Sequence, residues 1–253
     1  MAQSTLGRAY RALYEKLCGR HPFLWPWHSQ WLAAHFLNRD LEAYLPGLSG
    51  RVLDVGCGPQ PYRPLLRSAS EYAGADVTAG PTVDIVIAPN RPWPIEDGHF
   101  DAVLMTQVVE YLTDVEAAVS EMRRVLKPGG TAIVSFPFLF NEHGANDYLR
   151  LSARSVPAFF AGFSPLAVSR QGALGSTMGT LFLNWLDQSL NLNRPLRLLR
   201  PLLLPLWLPL CLVVNLLSLL VNLLDRTNCY YGNVFLVLKK GDERDPAESG
   251  ASP

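Results

Sequence analysis

Short apolar runs alternate with helical patterns through the first two thirds of the chain, and this alternation predicts a parallel sheet connected by crossover helices. Val52, Leu53 and Val55 form the clearest strand, because a segment apolar at nearly every position is typical of a strand buried on both faces. Two late strands are predicted at about residues 164–169 and 231–238. Together they suit an antiparallel hairpin that closes the sheet.

Two helices are predicted from caps and apolar spacing. Asp114 can cap the first of them. Its apolar positions recur at helical spacing, at Val115, Ala118, Val119, Met122 and Val125. The segment Pro128-Gly129-Gly130 predicts the end of that helix. Ser152 can cap a second helix that runs through Ala161 and ends at Gly162.

A glycine turn follows the first clear strand and is the strongest candidate for a binding site. Gly56 and Gly58 let the backbone lie close to a ligand that a Cβ would obstruct. Asp76 follows about 20 residues after the first glycine, where an acidic residue can bind ribose hydroxyls. The third glycine of a dinucleotide fingerprint is missing, since Pro59 follows Gly58, and no Gly-Lys-Ser/Thr ending marks a phosphate loop. A tight turn that binds nothing is the alternative.

Four segments in a fixed order resemble a known family. They are residues 52–58 (VLDVGCG), Asp76, residues 100–111 (FDAVLMTQVVEY) and residues 124–130 (RVLKPGG). The chain resembles the class I S-adenosylmethionine-dependent methyltransferases, in particular the bacterial small-molecule branch with type 11-like members. The resemblance implies a Rossmann-like α/β fold, with a mostly parallel seven-stranded sheet, an antiparallel last strand and an apolar helical insertion before that strand.

The resemblance also implies S-adenosylmethionine as the cofactor and assigns positions to it. These positions are Asp54, Gly56, Cys57, Gly58, Asp76, Val77, Asn90 and Gln107. The glycine turn would lie against the methionine part, with Asp54 holding the turn and facing the ammonium group. Asp76 would bind the ribose, Val77 would pack near the adenine, and Gln107 would line the pocket. Asn90 is a candidate for the adenine amino group, although its register differs from the family pattern.

The candidate catalytic residues are His143, Tyr111 and Asp147. An activated methyl group needs mainly an aligned nucleophile, and an oxygen nucleophile usually also needs a base. His143 is the best proton acceptor in the loop after the fifth strand, because an imidazole ordinarily titrates near neutral pH. Tyr111 stands where many relatives have histidine, so a histidine role there is not carried over. A hydrogen-bonded lid without a catalytic role is the alternative for this loop.

Composition limits the class of partner. The 22 basic and 22 acidic residues give a net charge of zero, so no basic surface for RNA or DNA is predicted. The four cysteines are scattered, show no metal-ligand spacing and fit a reducing compartment. No metal site is predicted. The N-terminus lacks a continuous apolar core, so no cleavable signal peptide is predicted and the expected location is the cytoplasm.

The insertion before the last strand is unusually apolar. Residues 201–224 contain no charged side chain. If the strands on either side pair in one sheet, both ends of the insertion stay on one side of a membrane, which excludes a single crossing. Three prolines, at positions 201, 205 and 209, are predicted to break the first part and leave a helix at residues 210–224, about 22 Å long. A bilayer core is about 30 Å thick, so an in-plane or re-entrant element at the cytoplasmic face of the membrane is predicted.

Flanking residues agree with a membrane element. Arg194, Arg197, Arg200 and Arg226 flank the apolar run and could meet anionic headgroups. Residues 23–27 (FLWPW) and Trp31 supply rings of the kind found at membrane interfaces. A helical lid on the enzyme or a homodimer interface is the alternative for these segments.

The predicted organisation has four parts. They are an N-terminal helical cap (residues 1–48), the cofactor-binding domain (49–171 and 229–240), the apolar insertion (172–228) and a disordered tail (241–253). The predicted function is methyl transfer to a small apolar or lipid-linked acceptor at the membrane surface. The alternatives are a soluble methyltransferase for a small molecule, a protein or RNA, and a non-catalytic module that binds the cofactor.

Overall fold

The computed structural model describes residues 5–241. Within them the α-helices are α1 (Thr5–Cys18), α2 (Trp31–Tyr44), α3 (Val115–Val125), α4 (Val156–Phe159), α5 (Leu174–Leu192) and α6 (Arg194–Asn222). The strands are β1 (Gly19–Arg20), β2 (Phe23–Leu24), β3 (Gly50–Val55), β4 (Ala69–Asp76), β5 (Ile85–Val86), β6 (Phe100–Thr106), β7 (Leu126–Pro137), β8 (Phe163–Gln171) and β9 (Asn233–Lys240). The predicted disordered tail (residues 241–253) lies outside the described residues except for Gly241.

Seven strands form one sheet in the order β5-β4-β3-β6-β7-β9-β8. β3 pairs in parallel with both β4 and β6, and β6 pairs in parallel with β7. The sheet is mostly parallel with one antiparallel strand, so the predicted fold class is confirmed. The strand order reverses at β3 and β6, and open α/β sheets bind ligands at the carboxyl ends of the strands beside such a reversal.

The centre of the sheet is buried on both faces, as the apolar runs predict. Its fully buried side chains include Val52, Leu53, Val103, Leu104, Ile133 and Val134. Helix α3 covers this core with Val115, Val119, Met122 and Val125. Asp114 caps α3 as predicted, because its side chain accepts a hydrogen bond of 2.9 Å from the backbone N–H of Ala117.

Helix α3 ends at Val125, before the Pro-Gly-Gly segment as predicted, and β7 begins at the next residue and contains that segment. The predicted extent of the second helix is wrong. The second helix is only the single turn α4, preceded by a 3₁₀ turn. Ser152 makes no side-chain cap, and its carbonyl accepts hydrogen bonds from Ser155 instead. Pro157 fits only the first turn of a helix, so the α-helix begins at Val156.

The chain divides into two compact units. Of the described residues, the sheet unit comprises 41–138, 143–169 and 234–241. The helical unit comprises 5–40, 139–142 and 170–233. The predicted cap and the predicted insertion therefore fall largely in one unit.

Helices α5 and α6 form an antiparallel hairpin in the helical unit. Gly175 and Gly179 of α5 lie so close to α6 that a Cβ at Gly179 would overlap the Oγ of Ser218. At the other end of the hairpin, Arg200 of α6 forms an ion pair with Asp187 of α5. Small residues at a helix interface let two backbones approach closely, which is the packing typical of helices in membranes.

Helix α6 is longer than predicted. It runs unbroken through Pro201, Pro205 and Pro209 to Asn222, which corrects the predicted break. All three prolines are exposed, so the hydrogen bonds they remove lie on one outer face. The opposite face buries Leu204, Trp207 and Cys211, which cluster with Leu183 of α5. That packing maintains the helix where proline alone would end it.

Candidate active site

A cavity of about 680 Å³ lies in the sheet unit, beside the carboxyl ends of β3, β4 and β6. Its volume falls within the range of roughly 300–1,000 Å³ that is usual for ligand pockets. The predicted site residues that line it are Gly56, Asp76, Val77, Asn90, Gln107 and Tyr111. Asp54, Cys57, Gly58, His143 and Asp147 are not among its lining residues.

The glycine turn sits at one side of this cavity. Gly56 and Gly58 have φ values of +71° and +46°, which glycine adopts without steric cost. A Cβ at Gly56 would overlap a methyl group of Val108. A Cβ at Gly58 would meet no protein atom within 4 Å. The first glycine is therefore required by the fold itself, whereas the second leaves open space against the backbone.

Asp76 stands at the end of β4, where the sequence predicts it. One oxygen of its carboxylate accepts a hydrogen bond of 3.3 Å from the backbone N–H of Gly58, and the other accepts one of 3.2 Å from Thr78. Both bonds hold the carboxylate at the cavity wall. Val77 follows it and is exposed, which leaves its side chain available to a flat apolar ligand.

Asp54 is buried, with 1% of its surface exposed, and its carboxylate accepts a hydrogen bond from the hydroxyl of Tyr72. Burial raises the pKa of Asp54 to about 7. The hydrogen bond with Tyr72 joins β3 to β4 just before the glycine turn. Both predicted roles of Asp54, holding the turn and facing the ammonium group, stay predictions. Burial also raises the pKa of the Cys57 thiol to about 11, so this thiol stays protonated at neutral pH.

Asn90 and Gln107 line the cavity with unusual backbones. Their φ values are +54° and +55°, in the left-handed region. The side-chain amide of Asn90 donates to the hydroxyl of Thr113 (3.0 Å), and that of Gln107 donates to the hydroxyl of Ser135 (3.1 Å). Strained backbone of this kind is often found at functional sites.

The three predicted catalytic residues lie together. The hydroxyl oxygen of Tyr111 lies 2.7 Å from Nε2 of His143. On the other side of the ring, Nδ1 of His143 lies 3.1 Å from the carboxylate of Asp147, which also accepts the backbone N–H of His143 at 2.8 Å. Arg150 binds both oxygens of Asp147, one of them at 2.6 Å. These bonds lower the pKa of Asp147 to about 2, so it is ionised at neutral pH.

Glu110 lies behind this chain of contacts and was recognised in the sequence only as part of a motif. Its side chain is 1% exposed, and Oε2 is buried with no hydrogen-bond partner among the described residues. Burial raises the pKa of Glu110 to about 7. Its carbonyl accepts the backbone N–H groups of Tyr148 and Leu149, which ties the loop after β7 to the turn after β6.

Other cavity residues were missed in the sequence. They include Trp93, Met105, Asp114, Glu121, Asn146 and Ala118. Ala118 is one of the apolar positions of the predicted helix, and it lines the cavity because the first turns of α3 form one wall. The long loop before β6 brings in Trp93, whose backbone N–H donates to Glu121. No local pattern marks these positions, since they meet only when the loop and α3 fold over the sheet.

The arrangement fits a nucleoside cofactor. Gly58 provides an open backbone surface, Asp76 provides a carboxylate at the cavity wall, and Val77 and Met105 provide apolar contact. A carboxylate at the end of the second strand suits ribose hydroxyls, which are hydrogen-bond donors. The cavity extends from these residues to Tyr111 and Tyr148, which leaves room for a second ligand.

Comparison with known proteins agrees with this fit. Residues 53–134 match the family model of a methyltransferase domain. A ubiquinone biosynthesis O-methyltransferase of Cereibacter sphaeroides is 35% identical over 121 residues, which cover 42% of this chain and 49% of that protein. An uncharacterized methyltransferase of a Mycobacterium species is 34% identical over 113 residues, 39% of this chain and 45% of that protein. The chain thus spans about half the length of the curated relatives it matches.

Solved structures share the fold. The cyclase SpnF has a TM-score of 0.54 at 20% identity, over 84% of this chain and 83% of that chain. The complex of Haemonchus contortus phosphoethanolamine N-methyltransferase 2 with S-adenosyl-L-methionine has a TM-score of 0.50 at 14% identity, over 81% and 52%. At these identities the likeness is one of fold alone. The family match over residues 53–134 and the strand order agree, and together they support a class I S-adenosylmethionine-dependent methyltransferase fold with S-adenosylmethionine as the cofactor.

Proposed function

We propose that the protein transfers a methyl group from S-adenosylmethionine to a hydroxyl group of a small apolar or lipid-linked acceptor at the membrane surface. The observation that carries this proposal is the chain of contacts from Tyr111 through His143 to Asp147. Tyr111 lines the cavity, and the chain behind it ends in a carboxylate that is fixed and ionised. A hydroxyl acceptor needs a proton acceptor of this kind, whereas an amine or an activated carbon does not.

In the proposed mechanism, the glycine turn and Asp76 hold the cofactor. Asp76 would bind the ribose hydroxyls, the backbone at Gly58 would approach the methionine part, and Val77, Asn90 and Gln107 would surround the base. The bound cofactor supplies a methyl group on a positively charged sulfur, which needs no further activation. The remaining work of the protein is to align the acceptor oxygen and to receive its proton.

Proton acceptance falls to His143. Asp147 binds Nδ1–H and so selects the tautomer with its lone pair on Nε2, which faces the hydroxyl of Tyr111. Nε2 can take a proton from the hydroxyl of Tyr111 while that hydroxyl takes one from the acceptor, or it can take the acceptor proton itself. Arg150 keeps Asp147 ionised, which stabilises the imidazolium that forms.

The hydroxyl acceptor is also supported by the relatives. The Cereibacter sphaeroides protein is named as an O-methyltransferase of ubiquinone biosynthesis. The family model of a methyltransferase domain matches residues 53–134, which include the glycine turn and Asp76. We therefore infer a phenolic acceptor with an apolar substituent as the first class of compound to test.

The membrane surface is supported by the helical unit. Residues Leu199–Asn222 form one helix that is long and apolar enough to cross a membrane, and 28% of its most apolar window is buried inside the described structure. A core helix of a soluble protein can have the same length and composition. Such a helix is mostly buried, however, whereas most of this one is not buried. We infer that α6 contacts lipid and that the acceptor is reached from the cytoplasmic face of a membrane.

A transfer assay tests the proposed function. S-adenosylmethionine labelled in its methyl group would be supplied with a prenylated phenol, with the same phenol without its tail, and with a total bacterial lipid extract. We expect label to enter the organic phase with the prenylated phenol or the extract. The Asp76→Ala variant, tested at the same cofactor concentration, gives the background. Protein that binds the cofactor but labels none of these would contradict the proposal.

A further inference from the structure

The charge of the chain is divided unevenly between its two units. The helical unit contains ten basic and five acidic residues, a net charge of +5, and because the whole sequence is neutral the remainder carries −5. The sequence as a whole conceals this division, because the helical unit is built from three separate segments. A basic unit attracts anionic surfaces over about 10 Å at moderate ionic strength.

The outer face of α6 is apolar and exposed. Val213, Leu217 and Leu220 are all at least half exposed, and so is Leu224 just after the helix ends. The polar residues of the same helix point the other way: Asn215 and Ser218 are buried, the latter against Gly179 of α5. The helix therefore has its polar stripe inside and its leucines outside, which is the reverse of a helix on the surface of a soluble protein.

Aromatic side chains lie beside this helix in the same unit. Trp25 and Trp27 stack on each other with ring centroids 5.8 Å apart, and Trp25 is 55% exposed. Asn215 holds their segment against α6, because its side-chain amide donates to the carbonyls of Pro26 (2.6 Å) and His28 (3.0 Å). An exposed tryptophan next to exposed leucines is typical of proteins that lie in the interfacial layer of a membrane.

Helix α1 carries exposed basic residues in the same unit. They are Arg8, Arg11 and Lys16, followed by Arg20 after the helix, and Leu13 and Leu17 are exposed between them. Arg200 is not available to anionic headgroups as predicted, because its guanidinium binds Asp187 and Asn191 and stacks on the ring of Tyr10. The side chains of Arg194 and Arg197 lie outside the described part of the structure. The exposed charge that the structure describes is thus mainly on α1 and at Arg226.

We propose that the helical unit docks in the plane of an anionic lipid bilayer, with the outer face of α6 and the Trp25 segment in the interfacial layer and the basic residues of α1 against acidic headgroups. This inference deepens the membrane part of the proposed function and rests on it for the location of the acceptor. The argument for an anionic surface is charge complementarity, because the helical unit has a net charge of +5. A second copy of the same unit would bring +5 against +5, and the leucine face has no acidic residue to offset it.

Vesicle flotation tests the docking without any methyl transfer. The full-length protein would be mixed with vesicles of phosphatidylcholine alone or with 30% phosphatidylglycerol. We expect strong flotation only with the anionic vesicles, and its loss in 0.5 M salt. The double variant Val213→Asp/Leu217→Asp should partition onto the anionic vesicles at least ten-fold less strongly than the wild type. The matched control is Leu166→Asp, an exposed leucine on β8 of the sheet unit, which should float as the wild type does.

Charge reversal tests the second half of the proposal. Arg8→Glu/Arg11→Glu should weaken partitioning to anionic vesicles by about five-fold or more for each residue. The control Arg67→Glu/Arg154→Glu changes two exposed arginines of the sheet unit and should have no effect. Equal binding to neutral and anionic vesicles would overturn the charge argument. A wild type that does not float, but forms a dimer that Val213→Asp/Leu217→Asp dissociates, would overturn the docking while leaving cofactor binding and methyl transfer untouched.

Discussion

The hydroxyl oxygen of Tyr111 lies 2.7 Å from Nε2 of His143, although the two residues are 32 positions apart in the sequence. Tyr111 follows β6 and His143 follows β7, so neighbouring parallel strands deliver both side chains to the same edge of the sheet. Asp147 contacts the opposite side of the imidazole. This geometry places a hydroxyl, an imidazole and a fixed carboxylate in one chain of contacts.

Removal of the imidazole should separate turnover from cofactor binding. We expect His143→Ala to lower kcat by about 10²- to 10⁴-fold, the usual contribution of a general base, with the Kd for S-adenosylmethionine unchanged. Tyr148→Phe is the matched control, because Tyr148 also lines the cavity but its hydroxyl donates only to Asn146 at 3.1 Å. Full activity in the His143 variant would assign the loop to a lid without a chemical role.

Removal of the carboxylate at the end of β4 should weaken the cofactor complex. We expect Asp76→Ala to raise the Kd for S-adenosylmethionine by about 10- to 100-fold, since charged hydrogen bonds contribute roughly 1.5–3 kcal/mol. Glu71→Ala removes an exposed carboxylate from the same strand and should leave the Kd unchanged. An unchanged Kd in the Asp76 variant would rule out the ribose assignment.

The two glycines of the turn should fail in different ways. Gly56→Ala should destabilise the protein, because its Cβ would overlap Val108 and its φ is +71°. Gly58→Ala meets no protein atom, so it should cost only about 1–2 kcal/mol for a left-handed alanine and should mainly weaken cofactor binding. Urea unfolding and calorimetric titration of both variants distinguish these effects. Equal cofactor affinity of the Gly58 variant and the wild type would remove this turn from the cofactor site.

Glu110 should make stability fall as the pH rises. Burial raises its pKa from an ordinary value near 4.5 to about 7, with the charge of Asp147 adding to the effect and Arg150 opposing it. The folded protein thus holds a proton that the unfolded chain releases, and this contribution to stability is lost between about pH 4.5 and 7. Glu110→Gln keeps a neutral side chain, so we expect it to be more stable than the wild type at pH 8, by about 1–3 kcal/mol, and close to it at pH 5.

Urea unfolding at pH 5, 6.5 and 8 measures this difference. Glu116→Gln on the exposed face of α3 is the control and should show no such trend. Asp54, which is also buried with a pKa of about 7, contributes in the same direction in both proteins and cancels in the comparison. A Glu110 variant less stable than the wild type at pH 8 would mean that the carboxylate is ionised and bound.

The sequence predicts the parts of the fold that depend on local pattern. Three such features could be predicted because each depends only on neighbouring residues. They are the apolar run at Val52–Leu53, the cap at Asp114 and the glycine turn. The family resemblance and the polar loop after the fifth strand point to Tyr111, His143 and Asp147, and the structure brings these residues together. Their catalytic roles stay predictions.

The other features of the fold and of the candidate site depend on contacts between residues that are distant in the sequence. The prolines of α6 were expected to break it, but packing of Trp207 and Cys211 against α5 maintains the helix. The bond between Asp54 and Tyr72 crosses two strands, and the +5 charge of the helical unit appears only once three segments are assembled. Ala118 has the spacing of a core residue, but a cavity lies where the pattern predicts packing.

Calorimetric titration of the full-length protein with S-adenosylmethionine tests the central claim most directly. The cavity, the open surface at Gly58 and the carboxylate of Asp76 predict one binding site with a Kd in the micromolar range. The titration should be run with and without mild detergent, so that exposed leucines on α6 do not obscure the result by association. If circular dichroism shows that the protein is folded, but the titration gives no binding heat with or without detergent, the account is contradicted.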